Sequence, residues 1–171
     1  MKGLINEAFK TAHFANGFRV IYREVPRSIT HCGLVVNAGS RDELPNESGA
    51  AHFIEHTLFK GTKRRKMFHI LNRLDSVGGE VNAYTSKEDT WVYAAFLESH
   101  LERAIELLAD IAFSATFPEK EVAKERDVIT DEIQSYLDNP ADAIFDDFEE
   151  RIFAGNGLGT NILGEELAVQ S

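Results

Sequence analysis

The sequence predicts one globular domain that mixes strands with helices. Short alternating segments bounded by turn residues run as far as Leu97, and helical patterns dominate from Glu98 onward. An apolar content of 43% in 171 residues is enough for one sizeable core but not several. Twelve Gly, four Pro and 27% charged residues, with no low-complexity tract or internal repeat, exclude a fibrous or disordered chain.

Asn16-Gly17 reads as a turn, followed by a strand from Phe18 to Val25 that Pro26 ends, and by a second strand from Thr30 to Ala38. Gly39 to Ser48 is a polar loop, with Ser48 as N-cap of a helix from Gly49 to about Phe59 that Gly61 closes. Lys63 to Lys66 reads as a solvated basic loop. Met67 to Val77 is a helix buried through Phe68, Leu71, Leu74 and Val77, with His69 exposed and Gly78-Gly79 as terminator. Glu80 to Thr85 and Thr90 to Leu97 form a hairpin across Ser86 to Asp89, and Trp91 and Tyr93 pack on the sheet. Glu98 to Phe113 is a helix with Leu101, Ile105, Leu108 and Ala112 inward and His100 solvated. A second helix starts near Pro118 and buries Val122, Ile129, Ile133 and Tyr136 until Asn139-Pro140. A third, Ala141 to Phe153, turns Ile144, Phe145, Phe148 and Ile152 inward and Asp142, Asp146, Glu149 and Glu150 to solvent, ending at Gly155-Asn156-Gly157.

Lys plus Arg total 18 against 28 Asp plus Glu, a net charge of -10 that repels nucleic-acid phosphates and anionic membrane surfaces. Neither nucleic acid nor membrane is an expected partner. Cys32 is the single cysteine and reads as a buried thiol, which suggests a reducing, cytoplasmic setting. Met1 to Thr11 carries Lys2, Glu7 and Lys10 and lacks the apolar core of a signal peptide, and no window approaches the length of a membrane span.

The chemistry sits in His52-Phe53-Ile54-Glu55-His56. Helical residues four apart lie about 40° from each other, so His52 and His56 stack on one face and can grip one metal. Glu55 falls on the same side, placed to take a proton from a water molecule beside the metal. This is H-x-x-E-H, the reverse of H-E-x-x-H with the same facial logic. Ala50, Ala51, Phe53, Ile54, Leu58 and Phe59 surround it with apolar residues, where polar groups need partners. A catalytic zinc uses three protein ligands, so a third is sought elsewhere. Glu125 and Glu132 are seven residues apart, about 700° of rotation, on one face of the helix after Pro118. Either could reach the metal; a separation of roughly 10 Å along the axis lets one ligate while the other orders a histidine or balances charge.

His52 to His56, followed by Glu132 within Glu125-Arg126-Asp127-Val128-Ile129-Thr130-Asp131-Glu132, resembles the inverzincin metallopeptidases of the insulinase, pitrilysin and mitochondrial processing peptidase family. Asn37-Ala38-Gly39-Ser40-Arg41, Phe59-Lys60-Gly61-Thr62 and Gly78-Gly79-Glu80-Val81-Asn82-Ala83-Tyr84-Thr85 read like that family's first homologous domain, from about Asn16 to Glu166. The resemblance implies an α+β fold with helices packed on a largely antiparallel sheet. It also implies one Zn²⁺ per chain on His52, His56 and Glu132, with Glu55 as general base and Glu125 supporting without ligating. The activity implied is endopeptidase cleavage of extended peptides or unfolded segments, the substrate lying as an added strand beside Val81, Asn82, Ala83, Tyr84 and Thr85, which reads backbone hydrogen bonds and tolerates many sequences.

Family members pair two homologous domains or subunits, the second supplying an Arg and a Tyr to the cleft. Residues 1–171 are therefore expected to be a single N-terminal domain, incomplete at its C-terminal end and weakly active alone. A non-catalytic binding or assembly subunit of the same fold is the alternative; such subunits typically lose the motif, and all four residues are present here. A purely structural zinc site would want four protein ligands. Cys32 is the only sulfur candidate, and His13, His31 and His69 lack motif spacing.

Overall fold

A computed structural model describes residues 9–170. Most of the Met1 to Thr11 segment read for a targeting signal, residues 1–8, lies outside the described residues. No helix among the described residues is long and apolar enough to cross a membrane.

Strands β1 (Lys10–His13) and β2 (Arg19–Tyr22) form an antiparallel hairpin whose turn holds Gly17 at a φ of 87°. The sequence reading missed β1 and drew β2 too long, extending it to Val25. Strands β3 (Ile29–Val36), β4 (Glu80–Thr85) and β5 (Thr90–Leu97) make a second antiparallel sheet in the order β3-β5-β4. The expected hairpin between β4 and β5 is present at its expected bounds. Strand β5 alternates cleanly: Thr90, Val92, Ala94 and Phe96 are buried, while Trp91 and Tyr93 lie on the opposite face, where Trp91 stacks on Tyr84 with centroids 5.7 Å apart.

Against the buried face pack α1 (Ala50–Leu58), α2 (Met67–Asp75) and α3 (Leu101–Ser114). Their core comprises Leu58, Ile70, Leu74, Ala104, Leu107, Leu108 and Ile111 together with Ala83, Val92, Ala94 and Phe96 of the sheet. Helices α4 (Glu119–Leu137), α5 (Pro140–Ile152) and α6 (Glu166–Gln170) complete the order. A smaller cluster of Ile129, Ile133 and Val169, with Phe53 and Leu163 against it, ties α4 to α1 and α6.

Several local readings are corrected. Ser48 does not cap α1; Gly49 does, at a φ of 86°, where a Cβ would meet the Leu163 carbonyl oxygen at 2.8 Å. The open N–H groups of Gly49 and Ala51 instead donate to the Glu43 carboxylate, each at 2.8 Å, and Ser48 Oγ accepts from the Glu165 N–H. The helix closes at Phe59, and Gly61 pairs with Lys66 in a β-bridge. Inward stripes on two helices are rotated. Ile70 and Leu74 bury α2 while Phe68 and Leu71 are exposed, and Ala104, Leu107, Leu108 and Ile111 bury α3 while Leu101 and Ile105 are exposed. His100 is half-buried.

Helix α5 is inverted relative to expectation. Ile144, Phe145, Phe148 and Ile152 are exposed. Asp146 turns inward to accept from Tyr136 Oη at 2.5 Å, and Lys87 binds both Asp146 and Glu149. Burial and the Asp146 carboxylate push the Tyr136 phenol up to about 12.

The basic run is not wholly solvated either. Arg65 Nη1 donates to Asp110 Oδ2 at 2.5 Å and Nη2 to Glu106 Oε1 at 2.7 Å, and the Arg65 side chain is only 16% exposed. Asp110 is buried, so its charge needs that partner. Replacing Arg65→Met is expected to destabilise the protein by about 3 kcal/mol, read from the midpoint of a urea denaturation curve; a shift under about 0.5 kcal/mol would mean that the pair is solvent-screened.

Candidate metal centre

The helical repeat of α1 puts His52 and His56 one turn apart, and the contact of α1 with α4 brings two carboxylates to them. His52 Nε2 lies 3.1 Å from His56 Nε2. Glu132 Oε2 lies 3.3 Å from the second of these nitrogens and 3.8 Å from the first. The three side chains form the one group able to hold a metal ion among the described residues. Donors about 2.0–2.1 Å from a tetrahedral zinc sit roughly 3.3 Å apart, so this triangle has the size that a small divalent ion requires.

Protonation fits the same conclusion. His56 Nδ1 faces Glu125 Oε2 at 3.3 Å, so its proton belongs on Nδ1 and its Nε2 lone pair points at the triangle. Burial, then the neighbouring His56 ring, push His52 below the usual histidine range, against the opposing pull of Glu132 and Glu55. Burial therefore favours the neutral form of the His52 ring. With its Nε2 turned to the triangle, its other nitrogen, Nδ1, is buried without a hydrogen-bond partner. Two imidazole nitrogens and a carboxylate oxygen facing one point are the kind of donor set that binds zinc. The residues present fit zinc.

Each expected site residue has a definite place. His52, His56 and Glu132 converge; Glu125 stands one step back, behind His56, with its other oxygen 2.6 Å from Lys60 Nζ. Glu55 is half-buried, its carboxylate makes no hydrogen bond or ion pair among the described residues, and it lies close enough to raise the proton affinity of His52. Lys60 was missed as a site residue. The signal was there: positions 52, 56 and 60 continue one helical stripe beyond the end of α1.

The five strand residues occupy β4, an edge strand. Its hairpin fixes which backbone groups are free. Ser86 N–H donates to Asp89 O at 2.8 Å, so the Thr85–Thr90 pair is non-hydrogen-bonded and, by alternation, so are Ala83–Val92 and Val81–Ala94. Val81, Ala83 and Thr85 therefore present their N–H and C=O groups to the open edge. Ala83 N–H is taken there by Asn82 Oδ1 at 2.9 Å, and Thr85 Oγ1 reaches the Ala51 carbonyl oxygen, next to His52, at 3.4 Å. Asn82 and Tyr84 point their backbone groups at β5 instead.

A family model described as insulinase, peptidase family M16, matches residues 19–166. The chain belongs to the insulinase peptidase family. An uncharacterized zinc protease of Bacillus subtilis is 40% identical over 158 residues, 91% of this chain and 38% of the relative. The beta subunit of the mitochondrial-processing peptidase of Rattus norvegicus is 38% identical over 156 residues, 91% of this chain and 32% of the relative. This member of the insulinase family thus spans about two fifths or less of the relatives' length. A protease from Helicobacter pylori superposes with a TM-score of 0.91 at 25% identity, covering 96% of this chain and 40% of its own. An inactive M16 peptidase domain from Pseudomonas fluorescens reaches 0.86 at 18% identity, with 95% and 40% covered, a likeness of fold alone.

Zn²⁺ at a hundred times its dissociation constant is expected to stabilise the protein by about 2.7 kcal/mol. A zinc titration followed by thermal melting checks this, and the rise in melting temperature should vanish in His52→Ala.

Proposed function

We propose that this chain is the metal-bearing N-terminal domain of a zinc endopeptidase acting on extended peptides or unfolded segments. The observation that carries the reading is the triangle of His52, His56 and Glu132 with the unpaired Glu55 carboxylate beside it. In this reading the three residues hold one Zn²⁺ per chain. Zinc bound there would polarise a scissile carbonyl and lower the pKa of water. Glu55, free of other partners, accepts the proton of the attacking water and passes it to the leaving amine. Glu125 keeps His56 in the tautomer that offers Nε2.

The substrate lies along β4 as an added strand. Val81, Ala83 and Thr85 supply the backbone groups, and Asn82 must give up the Ala83 N–H as the peptide arrives. A second homologous domain or subunit would complete the cleft. Support for this comes from the coverage of the relatives, of which this chain accounts for 38% and 32%.

In the full-length protein, Glu55→Gln is expected to retain zinc and lose peptide cleavage by about 10²–10⁴-fold, whereas His52→Ala and Glu132→Ala lose the metal itself. Metal content measured beside peptidase rate separates the two effects. A wild-type protein that binds zinc but cleaves no unfolded polypeptide with its second half present would favour the assembly-subunit reading. Ala83→Pro removes an N–H that faces the open edge, which an edge strand tolerates. Because Ala83 is also buried in the core, that variant should lose some stability but keep its zinc, and it should raise KM for peptides; unchanged peptide kinetics would remove β4 as the docking strand.

A further inference from the structure

Lys60, paired with Glu125, is the charged residue of the site that the peptidase reading leaves without a role. Glu125 is only 8% exposed, and a carboxylate so buried needs both oxygens satisfied. Its Oε1 takes the Lys60 ammonium at 2.6 Å and its Oε2 faces His56 Nδ1 at 3.3 Å. Held at both oxygens, the carboxylate cannot swing about its terminal bond without breaking one contact. Lys60 itself is anchored. Its N–H donates to the Thr57 carbonyl at 3.0 Å, the Gly61 carbonyl accepts from Thr116 N–H at 3.1 Å, and Thr62 bridges Ala115. The backbone carrying Lys60 is thus strapped to the segment that leads into α4, the helix that carries Glu125.

Resting on the zinc reading above, we propose that Lys60 is a positioning residue for the metal centre. It fixes Glu125, and Glu125 fixes the His56 ring so that Nε2 faces the ion. Lys60 also offsets the charge of Glu125, which sits behind His56 and outside the triangle. Lys60 touches neither His52, His56 nor Glu132 in a hydrogen bond or ion pair, so its influence runs through Glu125.

A double-mutant cycle on the full-length protein tests this, with the Zn²⁺ dissociation constant read by competition with a chromogenic chelator. Lys60→Met is expected to weaken zinc about tenfold or more, while the same change made in a Glu125→Gln background should shift the constant by less than about twofold. Lys60→Gln keeps a donor for Glu125 and serves where Lys60→Met leaves that carboxylate too costly to bury; it should weaken zinc in the same sense, and it too only in the Glu125 background. Melting of the zinc-free variants checks that the comparison is made between folded proteins. An unchanged dissociation constant in both Lys60 variants overturns the proposal, as does an equal loss in both backgrounds. A wild-type protein that binds no zinc would instead sink the peptidase reading itself.

Discussion

The α1–α4 contact gathers three side chains of metal-ligating type around one point. His52 Nε2, His56 Nε2 and Glu132 Oε2 lie within 3.1 to 3.8 Å, all aimed at the same point. Such a cluster is held by forces from outside it. The cluster of Ile129, Ile133 and Val169, with Phe53 and Leu163, supplies apolar burial on one side, and the bridges from Gly61 and Thr62 to Ala115 and Thr116 clamp the other. Side chains held in place from outside in this way are how a preorganised binding site gains affinity.

The sheet then sets what can approach that point. Because β5 is central, β4 is left with one unpaired edge, and the tight turn after Thr85 decides that Val81, Ala83 and Thr85 face it. An open edge invites unwanted pairing, and the Asn82 side chain covers part of it by accepting from Ala83 N–H. Thr85 ties the strand to α1 beside His52, so the strand edge and the histidine pair are joined directly.

The sequence revealed those parts of the structure that depend on local periodicity. The β4–β5 hairpin follows from alternation and a polar turn, and the facing of His52 and His56 follows from a four-residue spacing. Glu125 and Glu132 were placed on one face of α4, but spacing alone could not say which would meet the histidines; α1 had to arrive first. Partners far along the chain decided the rest. Helix α5 carries apolar and acidic faces, and the apolar one reads as core until Lys87, from the β4–β5 turn, and Tyr136, from α4, recruit Asp146 and Glu149 inward. Arg65 looked solvated for the same reason, since Asp110 lies 45 residues away. Ser48 had the right chemistry for a cap, but Glu43 reaches both N–H groups from the preceding loop.

Fold and chemistry separate cleanly here. Strand order and helix packing carry no activity by themselves. What distinguishes an active centre is charge placed at particular atoms. Lys60 pairs with Glu125 behind His56, Glu132 brings one carboxylate oxygen to the triangle, and burial holds His52 below the usual histidine range. Glu55 adds a negative charge that no ligand or cation claims. Under the peptidase reading proposed above, a carboxylate left unpaired beside a metal is free to exchange a proton with water.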